Sequence, residues 1–302
     1  LLMNISLKRS SVIENGFGVG ISLYEDGICI AYPGLKSKPT PKVEFFSVQG
    51  EKSQTRMLRK IVSKHKLHSI PATVVMNHTN YNLLQVPTPQ VNKDEIDAAL
   101  RWQIKDLVDI DVENSIIRSY PMPGQGNITS PLIFVVIADR SAIKNITEMV
   151  YDAGLNIKSV TSVELGLRSL LKAIEDIKVP TMLLAIFPHK TVFIHMVNGV
   201  LYRTRELNYG ATHLPGSGSW SEDESWPERL VTEVGRFIIF CARHCDGGSA
   251  QRLLVTSTVS SSPDLVEALA EETELVVEEL SHGLIDVRCL PALGVAYEGM
   301  EQ

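Results

Sequence analysis

VGISLYEDGICIAY, residues 19–32, alternates apolar and small or polar positions on both sides of an Asp-Gly step. Alternation of period two marks half-buried strands, and Asp-Gly between two such runs is a strong hairpin signal. The stretch therefore predicts two antiparallel strands joined by a tight turn at Asp26-Gly27. A second stretch follows the same plan. MLLAIFPHKTVFIHMVNGVLYRTREL, residues 182–207, has turn signals at Pro188-His189 and Asn198-Gly199, which predicts a three-stranded meander. Helical sequence follows each unit, so the chain reads as two similar α/β lobes in tandem.

The 302 residues suit two domains or one two-lobed fold, and such a length buries enough apolar surface to need neither disulfides nor a structural metal. Hydrophobic residues make up 44% and charged residues 21%, a globular composition. A net charge of -6 argues against nucleic acid as a partner. Cys29, Cys241, Cys245 and Cys289 form no CxxC pair and read as reduced thiols of a cytosolic protein. No apolar run reaches the 18 or so residues of a membrane span, and the N-terminal LLMNISLKRS lacks a signal-peptide core, so no direct membrane insertion is expected.

Between the two repeats lies an insertion. It opens with NLLQVPTPQ and continues into NKDEIDAALRWQIKDLV, residues 92–108, where Asn92 and Glu95 suit a capping box and Ile96, Leu100, Ile104 and Leu107 share one helical face. That stripe reads first as core. Trp102 lies off it. SIIRSYPM and PLIFVVIA then read as strands, and a helix beginning at Asp139 carries Ile143, Ile146 and Val150 and stops at Gly154. Farther on, PGSGSWSEDESW, residues 215–226, reads as a mobile acidic loop before a helix capped by Ser225 and Glu228. RLLVTS and LVVEEL read as strands around a helix capped by Ser262, and the chain ends at LPALGVAYEG. The domains expected are a first lobe of 1–83 and 156–178, an inserted α+β subdomain of 84–155, and a second lobe of 179–302 that includes a loop-helix segment, 208–250.

Other constellations carry little chemistry. CARHC, residues 241–245, is at most half a metal site, and no HExxH pattern, nucleophile elbow or paired acid and base is visible. GFGVG precedes its strand, whereas a dinucleotide fingerprint follows one, so it reads as a turn.

GVGISLYEDGICIA, LLQVPTPQVNKDEIDAALRWQIKDLVDIDVEN, VYDAGLNIKSVTSVELGLRSLL and ALGVAYEG, in this order, resemble the PilM-like family of type IV pilus assembly proteins, most closely its MSHA-pilus branch. The resemblance implies an actin-like fold, built of duplicated ribonuclease H-like lobes in the subdomain arrangement of FtsA, and a cytoplasmic platform peripheral to the inner membrane of a Gram-negative bacterium. It implies a PilN-like membrane protein as partner, docking its cytoplasmic N-terminal peptide where the insertion meets the first lobe, and admits the assembly ATPase as a second partner. The peptide site expected here comprises Leu84, Val86, Pro87, Leu100, Trp102 and Ile104.

Actin-like nucleotide sites cradle phosphates with two strand-turn-strand loops and order Mg²⁺ through an Asp near each. In the first loop the family's Asp, Gly and Lys fall on Ser22, Tyr24 and Cys29; in the second, its Asp-any-Gly falls on Ala185, Ile186 and Phe187, with Pro188 following. The Gly-Gly adenosine turn is replaced by TSTVSSS, residues 256–262. Magnesium requires carboxylate or phosphate oxygens, and proline offers no amide to a phosphate. The expectation is a non-catalytic scaffold without cofactor, metal or catalytic residues. The alternatives are an ATP-binding actin-like ATPase and the cytoplasmic domain of a GspL-like type II secretion protein.

Overall fold

The computed structural model describes residues 2–4, 18–33, 41–92, 94–123, 131–174, 179–213, 226–244, 248–257, 263–281 and 285–298. Its contacts divide the chain into two units: Glu14–Gly166 with Pro291–Gln302, and Leu1–Ile13 with Leu167–Leu290.

A short strand, β1 (Leu2–Asn4), opens the chain and belongs to the second of these units. In the first, β2 (Val19–Tyr24), β3 (Gly27–Tyr32) and β4 (Lys42–Ser47) form an antiparallel meander. Helix α1 (Glu51–His65) leads to β5 (Pro71–Val75), which lies parallel to β2. The chain then leaves this sheet for β6 (Tyr81–Pro87), α2 (Ile96–Ile104), β7 (Ser115–Pro121) and β8 (Leu132–Asp139), which build a separate antiparallel sheet of order β6-β8-β7 with one helix. It returns through α3 (Arg140–Asp152) to β9 (Asn156–Thr161), parallel to β5, giving a five-stranded sheet of order β4-β3-β2-β5-β9. Helix α4 (Val163–Ile174) follows.

The second unit repeats this order. β10 (Thr181–Ile186), β11 (Thr191–Val197) and β12 (Val200–Leu207) form the antiparallel meander. After α5 (Trp226–His244) come β13 (Arg252–Ser257), α6 (Pro263–Thr273) and β14 (Val276–Ser281). β13 lies parallel to β10 and β14 to β13, so the sheet reads β12-β11-β10-β13-β14, extended at its edge by β1. Helix α7 (Leu290–Glu298) closes the chain. The tandem duplication expected from the sequence is thus a shared strand order, and the three-stranded sheet interrupts only the first copy.

Local chemistry accounts for much of this. Asn198 and Gly199, both at positive φ, make the two-residue β11–β12 turn, the backbone geometry that Asn-Gly favours. Asp139 caps α3 by accepting the Ala142 amide at 2.9 Å, and Gly154 ends the helical segment at φ 87°. The first hairpin differs in detail from expectation. Its two loop residues are Glu25 and Asp26, while Gly27 already pairs with Tyr24 in the ladder. Glycine is required there because a Cβ would meet the Phe45 ring at 2.4 Å and the Phe46 carbonyl oxygen at 2.7 Å.

The expected domain boundaries need correction in several places, one being residues 167–174, expected in the first lobe but grouped with the second unit. Strand β1, assigned to the first lobe, pairs with β14 in the other sheet. Helix α3, assigned to the insertion 84–155, contributes Ile146, Met149 and Val150 to the core of the five-stranded sheet. An apolar stripe shows that a helix has a buried face without showing which sheet covers it. Helix α7, assigned to the second lobe, clusters with β2: the Gly18 amide donates to the Ala296 carbonyl at 3.2 Å, and Gly20 lies against Ala292. The glycines of GFGVG that are described thus serve close helix approach rather than a turn. The 215–226 loop, apart from the backbone of Trp226, lies outside the described residues, as do Ser225, Ser262 and Cys245. Cys29, Cys241 and Cys289 are buried, and none of them is in a disulfide.

Candidate functional site

The insertion has its own small core of Val86, Leu100, Ile104, Val112, Ile117, Ile133, Val135 and Ile137, with Leu84, Ile96, Val108 and Ile110 packed against it. Its helix is shorter than the sequence suggested, ending at Ile104, so Leu107 falls in the following turn and is exposed rather than on the core stripe. Only one half of the expected capping box forms. The Asn92 amide and side chain both donate to Glu95 Oε2, at 3.3 and 3.2 Å, while the Asn92 backbone carbonyl accepts the Glu95 amide.

Two side chains pin α2 to the sheet. Arg101 donates to the carbonyls of Val112 and Ser115, and Gln103 donates to the Pro87 carbonyl at 3.2 Å. These hydrogen bonds, from the residues on either side of Trp102, fix the rotation of the helix about its axis. Trp102 is 83% exposed, whereas Leu100 and Ile104 are wholly buried. Of the six residues expected to bind a partner, Val86, Leu100 and Ile104 are therefore core and cannot touch one, a correction that follows from the place of Leu100 and Ile104 on the helical stripe facing the sheet and of Val86 on the inner face of β6. Leu84 is half-buried against that core, Pro87 is exposed at the end of β6, and Trp102 alone of the six projects outward from the helix. The structure unites all six in one subdomain, yet divides them between support and surface.

The segment that carries Trp102 is acidic. Asp94, Glu95, Asp97, Asp106, Asp109, Asp111 and Glu113 are all exposed, and segment 93–113 holds only Lys93, Arg101 and Lys105 against them. Four of the chain's six net negative charges sit in these residues. The Asp111 carboxyl is held below its ordinary range by hydrogen bonds from the Asn114 side chain and the Glu113 amide.

The strand-turn-strand loops present no carboxylate at the matched positions. In the first unit, Ser22 and Cys29 are buried cross-strand neighbours, and Ser22 Oγ has no hydrogen-bond partner among the described residues. The turn's carbonyls are taken up locally: Gln54 of α1 donates to Tyr24 at 2.7 Å, and the Val48 amide donates to Asp26 at 3.0 Å. In the second unit, Ala185, Ile186 and Phe187 are buried, and the turn after them is covered by residues 210–212. The amides of Ala211 and Thr212 donate to the carbonyls of Phe187 and Pro188 at 2.8 and 2.9 Å. Gly210 lies so close that a Cβ there would stand 2.2 Å from the Phe187 oxygen. The Phe187 amide is itself bonded to the Lys190 carbonyl at 2.9 Å. Of the adenosine turn only Thr256 and Ser257 are described, both buried at the end of β13.

Two lobes of one strand order, the first interrupted by a small inserted sheet, define an actin-like fold. Solved structures share it along almost the whole chain. A chain of a PilM–PilN type IV pilus biogenesis complex aligns over 95% of this chain and 100% of its own, with a TM-score of 0.72 at 13% identity. The cytoplasmic domain of EpsL, an inner-membrane component of the type II secretion system of Vibrio cholerae, aligns over 91% and 93%, with a TM-score of 0.55 at 15% identity. A Bacteroides thetaiotaomicron protein described as having an actin-like ATPase fold and unknown function aligns over 95% and 99%, with a TM-score of 0.55 at 12% identity. No protein-family model matches the chain, and no curated protein does.

Proposed function

We propose that this chain is a non-catalytic, actin-like scaffold of a type IV pilus assembly machine of the MSHA type, working at the cytoplasmic face of the inner membrane. It binds the N-terminal cytoplasmic tail of a PilN-like membrane protein. The observation that carries the non-catalytic half is the state of the two loops. Neither has a carboxylate at the position matched to the Mg²⁺-ordering Asp, where Ser22 and Ala185 stand, and the second has its carbonyls bonded by residues 211 and 212 and a proline where an amide is needed. The pilus half is supported by the resemblance in sequence and by the likeness in fold to a chain of the PilM–PilN complex. A cytoplasmic tail next to a membrane span is rich in Lys and Arg, which suits the acidic segment that carries Trp102.

On this reading ATP with Mg²⁺ binds no tighter than about 1 mM, an affinity of roughly -4 kcal/mol. Titration calorimetry checks this; a micromolar dissociation constant would restore the ATPase alternative. For the partner, Trp102→Ala is expected to leave circular dichroism and thermal midpoint unchanged, because the side chain is almost wholly in solvent. Binding to the synthetic tail peptide of a PilN-like protein should weaken at least ~10-fold, about 1.4 kcal/mol, since exposed aromatics that become buried dominate such interfaces. A folded variant that binds the peptide as well as the parent chain would remove Trp102 from the interface. The likeness to the EpsL domain favours a second reading, a GspL-like component of type II secretion, and tail peptides from the two systems tested side by side separate them.

A further inference from the structure

Helix α1 divides sharply into two faces. Leu58, Ile61 and Val62 are buried in the core of the five-stranded sheet, while Lys52, Arg56, Arg59, Lys60 and Lys64 are exposed, with Lys66 at the C-cap. At about 100° per residue the helical cations fall on one stripe opposite the buried residues, along roughly 18 Å of helix. Glu51 is the one acidic residue between 51 and 68. Arg59 donates to the Asp152 carbonyl at 3.2 Å, whereas Lys52, Arg56, Lys60, Lys64 and Lys66 have no ion pair among the described residues. In a chain of net charge -6 this concentration of unpaired positive charge is set apart from everything around it.

We propose that the solvent face of α1, with Tyr151 beside its C-terminal end, is a contact surface for the anionic headgroups of a phospholipid bilayer. The surface lacks what a protein partner uses. No large apolar side chain on α1 is exposed, and lysine is depleted from the cores of protein interfaces, where aromatic and arginine anchors dominate. It also lacks the row of stacking aromatics on which single-stranded nucleic acids lie. Flexible cations on one straight stripe match a surface whose charge is diffuse rather than placed.

Tyr151 adds an independent element. It is 77% exposed, and it lines with Ser69 and residues 154–157 an open cavity of about 640 Å³. The Ser69 amide, bonded to the Gly154 carbonyl at 3.2 Å, joins the loops that follow α1 and α3, and His68 lies against Gly154. A tyrosine with an apolar ring and a polar tip is the residue type that settles at headgroup depth. This contact is separate from the Trp102 surface and does not depend on the pilus reading.

The test is sedimentation of the full chain with vesicles. Binding is expected to vesicles rich in phosphatidylglycerol and not to pure phosphatidylcholine. It should weaken at least ~10-fold as salt is raised from about 0.1 M to 1 M, where the screening length falls from ~10 to ~3 Å. Arg56→Glu/Lys60→Glu/Lys64→Glu should abolish it, and the milder Arg56→Gln/Lys60→Gln/Lys64→Gln should reduce it with the fold intact by circular dichroism. Lys42→Glu/Lys105→Glu/Arg243→Glu, equal in charge but placed elsewhere on exposed residues, should bind as the parent does. Equal binding to neutral vesicles, no binding to anionic ones, or equal loss in the displaced triple would overturn the proposal. Binding of duplex DNA without binding of vesicles would transfer the stripe to a polynucleotide.

Discussion

Gly20→Ala is expected to destabilise the chain by at least ~3 kcal/mol, lowering the melting temperature by roughly 6–12 °C. The added Cβ would stand 1.8 Å from the Ala292 carbonyl oxygen and 2.8 Å from its carbon, with Val295 Cγ2 at 3.0 Å. The obstruction is helix backbone, so no rotamer change relieves it. Either α7 moves away from β2 or β2 shifts in its sheet. The first course breaks the hydrogen bond from Gly18 to Ala296 and uncovers Leu293 and Ala296, both buried. Hydrogen exchange should therefore show protection lost first in 290–298. A Gly20→Ala chain with the parent's melting temperature and intact protection there would mean that α7 does not pack on β2 as described.

Leu100→Ala is expected to cost about 2–5 kcal/mol, and the loss should be confined to the insertion. Leu100 is wholly buried in a cluster of only eight buried residues, so the cavity it leaves has little around it that can collapse inward. Amide protection should fall across 81–139 while that of 181–207 keeps its parent value. Set beside Trp102→Ala, this separates support from contact on one helix. Leu100→Ala should weaken peptide binding by loosening the subdomain, and Trp102→Ala should do so with the subdomain intact. A Leu100→Ala chain with unchanged exchange throughout would place that side chain outside the core.

The fold was legible wherever the signal was local. Alternation around 19–32 and 182–207, the Asn198-Gly199 turn, the helix start at Asp139 and the Gly154 stop each act within a few residues, and each stands where it was expected. The corrections share a different character. That α3 belongs to the five-stranded sheet, that β1 joins β14, and that α7 packs across Gly20 all depend on residues far apart in the chain. The glycine of GFGVG that meets α7 could have been suspected from a Gly inside a strand pattern, which often marks close backbone approach.

The candidate site divides the same way. The stripe Ile96, Leu100 and Ile104 and the displacement of Trp102 from it could be read from helical period alone, whereas Ser22 and Ala185 stand out only through the family resemblance, which implies a carboxylate at each. The basic run of α1 was equally open to reading, since RMLRKIVSKHK states its charge outright. What a single strand of letters lacks is the list of things each face meets. Val86 resembles a contact residue until the β6–β8 register sets it opposite Ile133 in the insertion's core, and Leu107 resembles a core residue until α2 ends at Ile104 and leaves it in water. Period and turn chemistry are properties of neighbours along the chain, whereas burial is a property of neighbours in space, and it is burial that separates a supporting side chain from one free to bind.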